Sequence, residues 1–281
     1  MHEINIVDES FDVKFASEYH LSIQVGLDGF SFCILHLLRN KYVTFKHIPL
    51  IVGKPQFLAK KVESIFEEEE KLNAAYKSVS VNYSTIHATL FPQDFSDVPD
   101  LLKIAALTSD TNRIEDIRTE RLPAFNYNLV YSVPRELLAL LKSKYAEFTF
   151  HHKTIPLLAT FLAQRNEKKN SLLINFEKKY IRILAVKGSQ LVLYNSFYFK
   201  NESDFLYYTL NVWHTLRFDA ERDEILFGGF VADDSSFIRQ IKKYVSNILF
   251  LKPSEDFNYG GLFEKSQKHQ FVSLLNTYSC V

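Results

Sequence analysis

The sequence predicts an α/β protein of two related lobes, each built on a mixed sheet flanked by helices. Three observations lead there. Strand-like runs alternate with helical periods along the whole chain. The order three strands, helix, strand, helix, strand occurs twice, the two starts offset by roughly 150 residues. A change of composition parts the halves, because RNEKKN at 165–170 is charged and holds no large apolar residue. That places the lobes at residues 1–165 and 166–281.

In the first lobe LSIQVGL and FSFCILHL read as strands joined at Asp28-Gly29, the dipeptide that a type I′ hairpin favours. YVTFKHI follows after the turn Arg39-Asn40-Lys41. Pro55 opens a helix in which Phe57, Leu58, Val62, Ile65, Phe66 and Leu72 recur at helical spacing. KSVSVNYSTIHATLFP, rich in β-branched residues and ended by Pro92, reads as the next strand. A helix is expected over PDLLKIAAL at 99–107, then a polar segment, TSDTNRIEDIRTERLP. Strand FNYNLVYSV, helix RELLALLKSKY, strand EFTFHH and helix PLLATFLAQ complete the lobe.

The second lobe repeats the opening. SLLINFE, YIRILAV and QLVLYNSFYF read as three strands, joined at Lys178-Lys179 and at Lys187-Gly188-Ser189. Ser203 or Asp204 is placed to cap the helix SDFLYYTLNVWHTLRF. Strand DEILF, the pair Gly228-Gly229, a helix capped near Asp234 or Ser235, strand NILFL and a tail ending in QFVSLLNTY follow.

Composition bounds the function classes. The 281 residues are 47% hydrophobic, and a chain of that size buries enough surface to need no metal or disulfide staple. The 33 basic residues balance the 33 acidic ones, so no global field draws nucleic acid or an anionic membrane. Cys33 and Cys280 have no metal-like spacing, and Cys33 reads as a small core residue of a reducing compartment. The N-terminus lacks a signal-peptide pattern and the apolar runs are too short to span a bilayer, so a cytoplasmic protein without direct membrane insertion is expected.

The duplicated arrangement resembles the actin-like ATPase fold, built from two ribonuclease H-like lobes. NLVYSVPRELLALLKSKYAEFTFHHKTIPLLATFL resembles the segment that precedes the second lobe in the cytoplasmic actin-like proteins of pilus assembly and type II secretion. EYHLSIQVGLDGFSFCIL and STIHATLFP are similar to an uncharacterised Bacteroidetes-type family of this fold. In actin-like ATPases each lobe offers its first hairpin to phosphate, with an aspartate on the first strand and a glycine two residues on. The glycine lets backbone N–H groups approach the phosphates, and the aspartates hold Mg²⁺.

Here those positions carry Gln24, Val25 and Gly26 in the first lobe, and Asn175, Phe176 and Glu177 in the second. Both carboxylates have become amides, and an acid stands at the second glycine. One like-charge pair at about 4 Å and an effective dielectric near 20 costs on the order of 4 kcal/mol. Gly228-Gly229 matches the family's adenosine motif in position, or serves only a strand-to-helix turn. Asp28 reads as a turn residue. Were nucleotide bound, Gly26, Gly29, Gly228 and Gly229 would carry it.

Other constellations are weaker. His151-His152 sit adjacent on a strand and point to opposite faces, so they do not form one metal site. Glu67–Glu70 reads as a solvated helix face or a docking patch for a basic partner. The helix over 203–218 is apolar round much of its circumference, so it is either buried or shared, with Phe205, Tyr208 and Trp213 as candidate interface anchors. The expectation is a non-catalytic protein-binding scaffold, not an enzyme, with no cofactor. An unidentified protein partner, a possible homodimer and no nucleic acid go with it. The alternative is a nucleotide-dependent switch that still binds ATP between the lobes. A nuclease is disfavoured, because Gln24 and Asn175 stand where metal-binding acids belong.

Overall fold

The structure, a computed structural model, describes residues 2–95, 115–261 and 268–280. The helix expected over 99–107 lies outside them. The chain divides into two compact units: Met1–Pro156 with Ser254–Phe263 and Ser273–Val281, and Leu157–Pro253 with Glu264–Val272. This division differs from the one at 165/166. The reason is packing: two tail segments return to the first unit, where Tyr42 donates its hydroxyl to the Leu275 carbonyl at 2.5 Å.

The first unit holds a six-stranded sheet in the order β1-β4-β3-β2-β5-β9. Its strands are β1 Ile4–Val7, β2 Tyr19–Gly26, β3 Gly29–His36, β4 Lys41–Pro49, β5 Ser78–Ser84 and β9 Thr149–His152. The β2–β3–β4 meander is antiparallel, and β5 and β9 add in parallel. Every residue of β2 is buried, so both sheet faces need cover. Directly paired residues share a face. Ile23 and Phe32 therefore lie on one side, where Phe30 meets Phe66 of helix α1 (Leu58–Glu68) at 6.4 Å. Ser22, Gln24, Cys33 and Asn82 lie on the other, under the C-terminal segment.

The first unit also carries an antiparallel sheet in the order β6-β8-β7: β6 Ala88–Pro92, β7 Glu115–Leu122 and β8 Tyr127–Pro134. Three expectations change here. The run at 77–92 is two strands in two sheets, the polar segment holds β7, and FNYNLVYSV pairs within the small sheet. With this insertion set aside, β2-β3-β4-α1-β5-α2-β9 matches the second unit element for element, α2 being Arg135–Lys144. Helix α3 (Thr154–Gln164) leads out of it.

The second unit orders its sheet β12-β11-β10-β13-β14, the first sheet's order without β1. These are β10 Ser171–Phe176, β11 Tyr180–Lys187, β12 Gln190–Tyr198, β13 Glu224–Gly229 and β14 Asn247–Phe250. Parallel and antiparallel pairs fall in the same places. One sheet face, with Ile174, Phe176, Ile183 and Phe227, forms a core with α4 (Glu202–Thr215) and α5 (Ser236–Ile241). Asn201 caps α4, accepting from the Asp204 N–H at 3.0 Å, where Ser203 or Asp204 had been expected. Ser235 caps α5. Short α6 (Val272–Leu275) lies near the chain's end.

Candidate functional site

The first-unit hairpin turns one residue earlier than its sequence suggests. Gly26 pairs with Gly29, so Leu27 and Asp28 are the whole turn, and neither has a positive φ. It is not the type I′ turn that Asp28-Gly29 suggested. The glycines answer close packing instead. A Cβ on Gly26 would lie 3.2 Å from the Ser84 carbonyl oxygen, and one on Gly29 would lie 3.0 Å from Cε1 of His47. His47 is hydrogen-bonded to Ser31 at 2.7 Å, and burial pushes its pKa down to about 4, with the charge of Asp28 opposing. The Leu27 and Asp28 carbonyls accept from the Val52 and Leu50 N–H groups, both at 3.0 Å.

Gln24 lies on β2 two residues before Gly26 and is buried. Its Oε1 accepts from the Ser273 hydroxyl at 3.3 Å. Beside it Asn82, its β5 neighbour, donates to Thr277 Oγ1 at 2.5 Å. The first-strand amide therefore belongs to a polar seam under the C-terminal segment. Sequence reasoning missed Ser273 and Thr277, since no local signal marks a contact with a strand so far upstream.

In the second unit the corresponding residue, Asn175, is buried and donates from Nδ2 to Glu177 Oε1 at 2.8 Å. Its Oδ1 is buried without a hydrogen-bond partner. That oxygen lies 3.2 Å from where a Cβ on Gly228 would sit. Gly229 has φ +76°, and a Cβ there would overlap the Phe176 carbonyl oxygen, which accepts from the Phe230 N–H at 2.9 Å. The glycine pair thus forms the last two residues of β13, in register with Asn175 and Phe176. Packing and the positive φ require glycine at 229, whereas at 228 a Cβ would only press on the side-chain ends of Asn175 and Leu251.

Chemically, each half offers a buried amide already used internally, and the second adds the Glu177 carboxylate. Such a set brings no charge to a cation at the amide positions, and the Glu177 carboxylate already faces the buried Arg182 guanidinium, which lies opposite Asn175 in the sheet register. It does not fit a magnesium-bound nucleotide. Among the described residues no group of histidine, cysteine and acidic side chains is arranged to hold a metal ion.

The other candidates resolve one by one. Phe205 and Trp213 are buried in the second-unit core, so they are not anchors offered to a partner. Tyr208 is half-buried, stacked on Phe197 at 4.8 Å, and the exposed aromatic of that helix is Tyr207. His151 pairs with Glu120 of β7 at 2.8 Å, while the His152 N–H donates to the same carboxylate at 2.6 Å. Glu120, unnoticed in a polar segment, therefore ties the small sheet to β9. In the acidic block Glu69 is buried between Lys46 (2.6 Å) and Lys71 (3.0 Å), an internal ion cluster and not a solvated face. Glu67, Glu68 and Glu70 are exposed.

The pattern of one protein family, described as a protein of unknown function, matches residues 8–248. The chain belongs to the DUF3822 family. No curated protein matches this DUF3822 chain. Among solved structures it is similar to a Bacteroides thetaiotaomicron protein with an actin-like ATPase fold and unknown function. The TM-score is 0.77 at 23% identity over 86% of this chain and 93% of that one. It is also similar to the PilM–PilN type IV pilus biogenesis complex, with a TM-score of 0.58 at 11% identity over 93% of this chain and 98% of the other. The ethanolamine utilization protein EutJ of Carboxydothermus hydrogenoformans gives 0.52 at 7% identity, over 92% and 88%. At these identities the likeness is one of fold. This DUF3822 chain has the actin-like ATPase fold, with the repeated sheet order expected of it. Among the described residues no helix is long and apolar enough to cross a membrane.

Proposed function

We propose that the chain is a non-catalytic, cytoplasmic protein-binding scaffold carrying a degenerate form of the actin-like ATP site. One observation carries the reading. Both first-strand positions hold a buried, uncharged amide with an internal hydrogen bond, Gln24 through Oε1 to Ser273 and Asn175 through Nδ2 to Glu177. A site meant for a metal keeps its ligands charged and available. A fold retained without such ligands is suited to presenting surfaces. The PilM–PilN structure, a complex of two proteins, lends this support at the level of fold only.

The test is thermal unfolding with and without millimolar Mg-ATP. A ligand at about 100 times its dissociation constant adds roughly 2.7 kcal/mol, or about 2–4 °C for a chain approaching this size. An unchanged midpoint is the expected result. A clear rise would overturn the degenerate-site reading in favour of a nucleotide-dependent switch.

A further inference from the structure

We infer that the outer edge of β14 docks an extended, carboxylate-bearing segment of a partner protein. The inference names a surface for the scaffold reading and rests on it. The repeat within the chain supplies the argument, because β9 and β14 are the same strand of the two units. The Lys153 N–H bonds the Tyr83 carbonyl at 2.9 Å, and the Leu251 N–H bonds the Phe227 carbonyl at 2.8 Å. Successive residues of a strand turn their N–H groups to opposite sides, so the residues before these, His152 and Phe250, turn theirs outward.

In the first unit that outward group is covered. The His152 N–H donates to the Glu120 carboxylate of β7 at 2.6 Å, and β7 belongs to the insertion that the second unit lacks. In the second unit the matching group is uncovered. Among the described residues no strand lies beyond β14, and no group accepts from the Ile248 or Phe250 N–H. Two residues further on, Gln164 shows that the edge takes an amide. Its side chain donates to the Lys252 carbonyl at 2.6 Å and accepts from the Lys252 N–H at 2.9 Å, the two bonds that a neighbouring strand would make.

Charge defines the occupant. Two hollows of about 540 Å³ each flank this edge and share Ile248 and Leu249 in their walls. Leu249, 47% exposed, and Phe250 supply apolar surface, and Lys169, Lys252 and Lys268 line the hollows beside them. Against these lysines stand Asp233 and Glu224. Glu224 is buried, its Oε1 accepting from the Asn166 N–H at 2.7 Å and the Ser171 hydroxyl at 2.9 Å. The excess of positive charge favours an acid, the group that Glu120 brings to the twin edge. Main-chain bonds of an added strand would hold the segment, and its carboxylate would set the specificity.

Fluorescence anisotropy of the full chain with a labelled heptapeptide, Glu-Val-Thr-Glu-Val-Thr-Glu, tests this. The expected result is saturable binding with a Kd of about 10–300 µM, and at least about tenfold weaker binding of the same peptide with Gln at each Glu. Hydrogen exchange of the Ile248 and Phe250 amides, followed by NMR, should slow when the acidic peptide is bound. The double variant Lys169→Gln/Lys252→Gln changes two side chains outside the core, so its thermal midpoint should hold while its affinity for the acidic peptide drops by about fivefold. Were that variant to misfold, raising NaCl from about 0.05 to 0.5 M should weaken binding to the unaltered chain by about as much. No binding up to about 1 mM, equal affinity for the Gln peptide, or protection confined to amides away from β14 would overturn the inference. None of these outcomes touches the scaffold reading, which the Mg-ATP measurement tests on its own.

Discussion

The Ser273 hydroxyl donates to Oε1 of Gln24 at 3.3 Å, joining residues 249 apart in the sequence. Through this contact and Asn82–Thr277, the end of the chain lies over the sheet face that carries Ser22, Gln24, Cys33 and Asn82. The amide at 24 is therefore a structural partner of the C-terminal segment. The amide at 175 has the same character, tied to the carboxylate two residues on.

An acid at position 175 would show what the amide does. In Asn175→Asp the new carboxyl would sit buried, where Nδ2 now donates to Glu177 at 2.8 Å. Burial and the neighbouring carboxylate raise its folded-state pKa above the unfolded value near 4, by more than the opposing pull of Arg182, which lies across from residue 175 but already faces Glu177. A raised carboxyl lowers stability above that unfolded value and does so less as pH falls toward it. The expected loss at pH 7.5 is on the order of 3 kcal/mol, partly regained at pH 5. Urea unfolding at the two pH values measures it, and equal losses at both would show that the carboxyl is not confined with Glu177.

The glycine pair makes a graded prediction. Gly229→Ala forces a Cβ into the Phe176 backbone at φ +76°, and should cost at least about 3 kcal/mol. Gly228→Ala meets only the ends of Asn175 and Leu251, at 3.2 and 3.3 Å, and should cost about 1–2 kcal/mol. Denaturant midpoints rank the two. The reverse order would mean that β13 does not end against β10 as described. Either variant loses stability without any ligand, so a missing nucleotide response in it says nothing about nucleotide.

Helix α4 ends in a Schellman motif whose αL residue is an arginine. The Arg217 N–H bonds the His214 carbonyl, the Phe218 N–H bonds the Trp213 carbonyl, and the Trp213 and Phe218 rings meet at 5.1 Å. Arg217 has φ +54°, a conformation that glycine adopts freely. Arg217→Gly should therefore stabilise the chain by about 1 kcal/mol, read as a higher urea midpoint at unchanged slope. A loss would mean that the arginine side chain holds a contact worth more than the backbone strain.

Much of this architecture was legible because apolar period and turn chemistry are local. The β2–β3–β4 and β10–β11–β12 meanders and the helices after them declare themselves within windows of ten to twenty residues. What the sequence hid is tertiary. EDIRTERL makes a strand because Glu120 meets His151 and Tyr131 from other strands, which polarity alone disguises. The run at 77–92 breaks at Thr85–His87 without glycine or proline, so nothing local separates β5 from β6. At the site, the two amides Gln24 and Asn175 were readable, but not the partners that use them.

Trp213 and Tyr207 separate core from surface on one helix. Trp213 is 2% exposed and Tyr207 65%. Trp213→Ala should cost about 3–5 kcal/mol, whereas Tyr207→Ala should change stability by less than about 0.5 kcal/mol. Thermal denaturation at low protein concentration distinguishes them. Equal losses would contradict the orientation of α4 against its sheet.

Two buried histidines, His20 and His47, contribute strongly to the acid response, beside His36, whose pKa burial also lowers. His20 is hydrogen-bonded to Ser78 at 2.7 Å and lies against the Tyr278 ring at 4.8 Å, and His47 is bonded to Ser31. Burial lowers the pKa of each to about 4. Unfolded, both would take up a proton near pH 6.5, so between about 6.5 and 4 the unfolded chain binds more protons than the folded one. Stability therefore falls as pH drops through that window, by on the order of 3 kcal/mol per histidine once it is crossed. Urea unfolding at steps from pH 7.5 to 5, above the range of most carboxylates, should show the midpoint declining. The double variant His20→Gln/His47→Gln, though less stable at pH 7.5, should show a shallower slope. A wild-type midpoint that stays flat over those steps would mean that the folded chain protonates these imidazoles as readily as the unfolded one, and would overturn the prediction.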